Sequence, residues 1–416
     1  MSEPLLVETV TGRSMAELRQ ARDSVRYADL VELRLDGVVD LEVAGALEGR
    51  TRPSILTCRP AWEGGQFDGS EDERHGILAE ALRLGAEYVD VEWRAGFAGL
   101  VQQAGGARVV LSSHDFHGIP DDLRNRVRAM RSTGSEIIKV AVMARRLTDG
   151  LVLRELTRDG PAVVIAMGDA GIATRVLAAH FGSCWTYAGE GAAPGQIAAE
   201  RMVEQFRFRG RGQATRIFGV VGNPVMQSLS PMMHNAAFAA LGCDAVFLPL
   251  QAADFNDFLC FADALAVAGA SVTIPFKIEA LRASAVVDDI ARRVGAANTL
   301  RRGPGGWEAT NTDVAGFLAP LGLVTAKAGT YDATPTETGS FEATRAEARP
   351  YDVRGKRASV LGAGGVARSV VAALVSAGAH VTLHARRSEQ AGEVAELFNV
   401  DVGSWPPEAG DRDLLV

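Results

Sequence analysis

The chain has 416 residues, 47% of them hydrophobic, with a formal net charge of −8. At roughly 100–200 residues per domain it holds two or three domains, with ample apolar material for their cores. The acidic balance sets up no field for phosphates, which argues against a nucleic-acid partner. No apolar run is long enough to span a bilayer.

The N-terminus, MSEPLLVETVTGRS, lacks a basic stretch followed by an apolar core, so no secretory signal is visible. Cys58, Cys184, Cys243 and Cys260 are widely spaced, with no CxxC pair. That pattern suits a reducing, cytoplasmic setting and gives no metal signature.

In chain order, short apolar runs fall at 5–10, 29–35, 54–59, 87–93, 108–113, 136–142, 162–167 and 184–189. Between them lie amphipathic stretches with helical spacing, such as 72–85 and 121–134. Eight alternating β and α units predict a (β/α)8 barrel, with a doubly wound open sheet as the alternative. The segment 207–216 is polar and basic and reads as a linker. Strand-like runs resume at 218–222, 246–250 and 269–275. The stretch 322–353, rich in Thr, Glu and Ala, has poor periodicity and reads as a flexible insertion. The last part, 354–416, opens as strand, glycine turn, helix and strand, the start of a Rossmann unit.

Lysine occupies only positions 139, 277, 327 and 356, so arginine supplies nearly all of the 43 basic residues. Lys139 therefore stands out. An amine can lose its proton and attack a carbonyl, whereas a guanidinium effectively cannot. Its place inside the strand run IIKVAV makes a solvated role hard to defend, and a lone buried lysine is expected to have a lowered pKa. Barrel enzymes do their chemistry at the C-terminal ends of strands, where Glu32, Arg34, Arg59, His114 and Lys139 fall.

Six motifs, taken together, resemble the type I 3-dehydroquinate dehydratases over residues 1–206. They are ELRLD (32–36), CRPAWEGG (58–65), SSHDF (112–116), IIKVAV (137–142), MGDAGIATR (167–175) and APGQ (193–196). The resemblance implies that Lys139 forms an imine with the ketone of 3-dehydroquinate and that His114 moves the proton. It implies that Glu63 orients His114 and that Arg175 and Gln196 hold the substrate carboxylate. Glu32, Arg34 and Arg59 would contact ring hydroxyls, and the product would be 3-dehydroshikimate, with no cofactor. His117 reads as a polar loop neighbour, and His75 and His180 as surface or packing residues. Ala192 stands where many relatives carry a serine.

From 217 onward the chain resembles the shikimate dehydrogenases. GNPVMQSLSPMMHN (222–235) supplies Ser228 and Ser230 for the substrate carboxylate, with helix capping before Pro231 as the structural alternative. SVTIPFK (271–277) supplies Thr273 and Lys277, with Ser271 where the family usually has Asn; GAANTL supplies Asn298 and TNTDVAG supplies Asp313. Lys277 and Asp313 would handle the hydroxyl proton of shikimate. GAGGVA supplies Gly362, Gly364, Gly365 and Ala367 for a dinucleotide, and Arg386 with Arg387 suits the 2′-phosphate of NADP. This gives an α/β substrate domain at 217–321 and a partial NADP-binding Rossmann domain at 354–416. The family continues beyond DLLV, so this half is expected to be incomplete, poorly stable, to give little or no shikimate oxidation, and to be open along its first strand near Val360. Two other readings stay open: a non-catalytic quinate- or shikimate-sensing regulator, and quinate as the dehydrogenase substrate. Oligomeric state is not legible.

Overall fold

The computed structural model describes residues 3–191, 193–322, 351–408, 410 and 412–416. It divides into two compact units, 1–268 and 269–416.

In the first unit the eight apolar runs form eight strands. They are β1 (Leu5–Val10), β2 (Leu30–Arg34), β3 (Ser54–Thr57), β4 (Tyr88–Glu92), β5 (Val109–Asp115), β6 (Ile137–Met143), β7 (Ala162–Met167) and β8 (Trp185–Ala188). All pair in parallel in the order β7-β6-β5-β4-β3-β2-β1-β8. The seam between β7 and β8 is bridged where the Cys184 amide donates to the Ala162 carbonyl at 2.8 Å. The result is a nearly closed barrel, not a doubly wound open sheet, because each strand lies beside its sequence neighbours and β1 is flanked by β2 and β8.

Strand alternation decides what faces inward. Ile137 and Ala141 belong to the barrel interior with Val7, Leu30, Ile55, Val163 and Tyr187. A period of two therefore turns Lys139, between them, to the same inner face. Lys139 is the third residue of β6 and pairs with Ser112 and Val163, so it lies within the strand and not at its end. The outer helices carry local start signals. Ser70 and Glu73 form a reciprocal capping box before the helix Glu71–Arg83, a device that contributes about 1 kcal/mol.

The expected linker at 207–216 is irregular but anchored. Phe208, Arg211 and Thr215 are buried. Arg209 pairs with Asp29 at 2.5 Å and Arg211 with Asp244 at 2.8 Å. These ion pairs use two of the basic residues that mark the segment as a linker. Beyond it, β9 (Arg216–Gly222) pairs in parallel with β10 (Ala245–Gln251). The helix Ser230–Ala240 links them and the helix Phe255–Ala264 follows.

In the second unit β11 (Gly269–Val272), β13 (Thr299–Gly303) and β14 (Gly306–Thr310) are antiparallel neighbours, with β12 (Val286–Val287) parallel to β14. A second sheet is parallel, in the order β17-β16-β15-β18, from β15 (Arg357–Leu361), β16 (His380–His384), β17 (Asp401–Val402) and β18 (Leu414–Leu415). The first of these strands is not the open edge expected. β16 and β18 flank β15, and Val360 is buried. Most of the expected insertion at 322–353 lies outside the described residues, as does Ala192. Among the described residues no helix is long and apolar enough to cross a membrane.

Candidate active sites

The barrel mouth holds a cavity lined by Glu32, Arg34, Arg59, Glu63, His114, Lys139, Arg175 and Gln196 among others. These are the barrel residues singled out from the sequence, now on one surface.

Lys139 is not a lone buried charge. Its Nζ lies 3.0 Å from Asp90 Oδ2, 3.4 Å from Glu32 Oε1 and 4.0 Å from the Tyr187 ring centroid. Burial alone would lower its pKa, but Asp90 and Glu32 more than offset this and raise it. The expected lowering is thus reversed, because paired carboxylates favour the charged amine. Burial would likewise raise Asp90, yet Arg59 and Lys139 hold it well below the usual carboxylate range.

One strand away, His114 is bonded to Glu63. Glu63 Oε1 lies 2.9 Å from both the backbone nitrogen and Nδ1 of His114. Burial, with Arg59 and Lys139 nearby, lowers the His114 pKa well below its ordinary value, so the imidazole is neutral. Burial pushes the Glu63 carboxyl up to about 7. Gly64, in the left-handed region at φ 80°, lets Phe116 close over this pair; a Cβ there would sit 2.7 Å from Phe116 Cζ.

The three arginines differ. Arg34 makes a fork to Asp36, with both bonds at 2.8 Å. Arg59 binds Glu92 at 2.6 Å, Ser112 at 2.9 Å and Asp90 at 3.0 Å. Among the described residues Arg175, 1% exposed, reaches only carbonyls, those of Tyr187 and Pro194 at 3.2 Å. Its Nε has no hydrogen-bond partner among the described residues. Burial lowers its pKa to about 10. An uncompensated buried guanidinium favours an anion. Gln196 lines the same cavity, its Oε1 accepting from the Ala193 amide.

In the second unit Lys277 Nζ lies 2.6 Å from Asp313 Oδ2, and Asn298 Nδ2 donates to Asp313 Oδ1 at 2.7 Å. A cleft of about 500 Å3 joins Lys277 to Gly362, Gly364, Gly365, Arg386 and Arg387. Gly365 begins the helix Gly365–Ser376, and a Cβ there would meet Lys277 Cδ at 2.8 Å. Gly362 has φ 114°. Ala367 is buried in that helix, and Arg386 and Arg387 are exposed. Thr273 lies just after β11, its carbonyl accepting from Phe276. Ser228 and Ser230 belong to the first unit. Ser228 Oγ accepts from the Ser230 amide at 3.2 Å, whereas the N-cap residue of the following helix is Leu229.

Residues 7–213 match the family described as type I 3-dehydroquinase. A 3-dehydroquinate dehydratase of Methanococcus maripaludis is 32% identical over 205 residues, 46% of this chain and 94% of that protein. The chain belongs to the type I 3-dehydroquinase family. Beyond the dehydroquinase barrel, residues 220–300 match the shikimate dehydrogenase substrate binding domain. A chloroplastic bifunctional 3-dehydroquinate dehydratase/shikimate dehydrogenase of Arabidopsis thaliana is 30% identical over 407 residues, 92% of this chain and 66% of that protein. A shikimate dehydrogenase (NADP(+)) of Anaeromyxobacter dehalogenans is 41% identical over 182 residues, 43% of this chain and 56% of that protein. The chain thus spans under two thirds of the length of both.

Within the dehydroquinase site, sequence reasoning missed Asp90, Glu92, Ser112 and Tyr187. Asp90 and Glu92 carried a signal: two carboxylates two residues apart inside the apolar run YVDVE, the same anomaly that marked Lys139. His117 is exposed at the loop after His114. His75 packs edge-on against Phe97 and His180 bonds the Thr215 carbonyl, both structural roles.

Proposed function

We propose that the barrel, residues 1–206, dehydrates 3-dehydroquinate to 3-dehydroshikimate through an imine on Lys139. The observation that carries this is a buried amine on the inner face of β6, with a neutral imidazole one strand over and an uncompensated arginine in the same cavity. Arg175, with Gln196, anchors the substrate carboxylate. Lys139, once deprotonated, adds to the ketone, and loss of water leaves a protonated iminium. Asp90 and Glu32 stabilise that cation as they stabilise the resting ammonium, keeping it an electron sink. His114 Nε2 takes the adjacent C–H proton while Glu63 holds Nδ1. The same proton then leaves with the departing hydroxyl as water. Hydrolysis of the conjugated iminium frees the amine. Borohydride with 3-dehydroquinate should trap an adduct on the peptide holding Lys139, and Lys139→Arg should abolish trapping and turnover. An active arginine variant, or an adduct elsewhere, would remove the claim.

We infer that residues 217–321 form a shikimate-binding domain and that 354–416 bind NADP. Gly364, whose bare Cα faces open space, and Gly365, against Lys277, fit the close approach of a dinucleotide, and Arg386 with Arg387 fits a 2′-phosphate. Hydride exchange is the chemistry this cofactor supplies. Lys277, held by Asp313, is the group to carry the substrate hydroxyl proton, with Thr273 and Asn298 as substrate contacts. The free thiols of all four cysteines support a reducing, cytoplasmic setting.

A further inference from the structure

Asp257, in the first turn of the helix Phe255–Ala264, is 1% exposed. Such a carboxylate ordinarily serves its own helix and faces water. This one reaches across to the barrel. Its Oδ2 accepts from the Leu147 amide at 2.9 Å and from the Ala253 amide at 3.0 Å. Its Oδ1 accepts from the Thr148 amide at 3.0 Å and the Thr148 hydroxyl at 2.7 Å. Beside it, Asp254 pairs with Arg146 at 2.8 Å.

Residues 144–148 form the turn that ends β6, the strand of Lys139. The same turn reaches both neighbouring strands. Arg145 Nη2 donates to the His117 carbonyl at 3.1 Å, in the loop that follows His114. The Ala144 amide donates to the Met167 carbonyl at 3.0 Å, at the end of β7. Asp257 is therefore the outer fastening of a bond chain that runs to the ends of the strands on which Lys139 and His114 lie. A buried carboxylate is tolerated only when its oxygens are filled with donors, and once filled it holds those donors in one geometry.

We propose that Asp257 is a positioning residue for the barrel chemistry, making the segment after the barrel a brace for the turn that ends the Lys139 strand. This rests on the dehydratase reading above. The dehydratase and the α/β segment fused to it are then mechanically dependent, not merely tethered.

The test uses the full chain. Asp257→Asn preserves size but turns an amide NH2 toward N–H donors. Hydrogen–deuterium exchange over residues 144–149 should quicken roughly tenfold. Turnover of 3-dehydroquinate per borohydride-trapped site should fall roughly tenfold, with KM changed less than about twofold, because small misplacement of reacting groups costs rate. A purely structural role would lower the trapped fraction and leave turnover per trapped site unchanged. Thr148→Val, which removes one of the four bonds, should move both readouts the same way by less; it decides the matter if Asp257→Asn does not fold. Unchanged exchange at 144–149 in a folded variant overturns the clasp, and unchanged turnover per trapped site overturns the positioning role. A wild-type chain that gives no adduct faults the dehydratase reading and the positioning role with it, while exchange still decides the clasp.

Discussion

Glu63→Gln should move stability and activity in opposite directions. Burial lifts the Glu63 carboxyl from an ordinary 4.5 up to about 7. At about 1.4 kcal/mol per pKa unit, ionised Glu63 costs the fold about 3 kcal/mol relative to its protonated form. The sign follows from linkage: a folded pKa raised above the unfolded one contributes stability that is fully present below the unfolded value and lost as pH rises through about 7. Glutamine does not titrate and keeps an oxygen for the His114 amide. Urea unfolding should therefore find the variant and wild type similar near pH 4 and the variant more stable by about 1–3 kcal/mol at pH 8. Activity should do the reverse. Below pH 7 a protonated Glu63 donates to Nδ1 of His114 and leaves a proton on Nε2, which then cannot act as base. Above it, the carboxylate accepts from Nδ1–H and frees Nε2. Wild-type kcat/KM should rise through about pH 7, and Glu63→Gln should flatten that limb and lower the plateau roughly 10–100-fold. A variant that keeps the limb, or loses stability at pH 8, would refute the assignment of that titration to Glu63.

Replacing the base itself with alanine at His114 should cost turnover roughly 10²–10⁴-fold while borohydride trapping on Lys139 survives, and His117→Ala should stay within a few-fold; the reverse ranking by absorbance assay would mean the wrong histidine was chosen. Arg175→Met removes an uncompensated buried charge, so thermal melting should hold steady or rise while KM for 3-dehydroquinate climbs at least tenfold, as expected for a lost charge-assisted contact of about 1.5–3 kcal/mol. In the second unit, Gly365→Ala would place a Cβ 2.8 Å from Lys277 Cδ. Calorimetric NADP binding by this variant should weaken at least tenfold against wild type, and unchanged affinity would show that close approach at Gly365 is not needed.

Much of this protein was legible in its residues. Each apolar run in the first half became a strand because strands buried on both faces need such runs, and β1 and β7 match theirs residue for residue. Lys139 announced itself as the one amine among arginines in such a run, and alternation puts it on the face of Ile137 and Ala141, which the nearly closed barrel turns inward. What composition and spacing could not supply was partnership. Asp90 and Lys139 are 49 positions apart and Glu32 and Lys139 107 apart, so the raised amine pKa, opposite to the lowering expected of a lone buried lysine, exists only once the barrel brings three strands together. The same holds for 207–216, a polar and basic linker in sequence, whose ion pairs with Asp29 and Asp244 only the fold supplies. It holds for β15, paired on both sides by strands that follow it by 19 residues or more. Asp257 shows the limit most plainly: in sequence it is an acidic residue at a helix start, and only the fold buries it 110 positions away against the turn it fastens. Local sequence dictates which elements form, because propensity and periodicity act over a few residues. Charge, burial and proton affinity depend on distance through space, which tertiary structure alone decides.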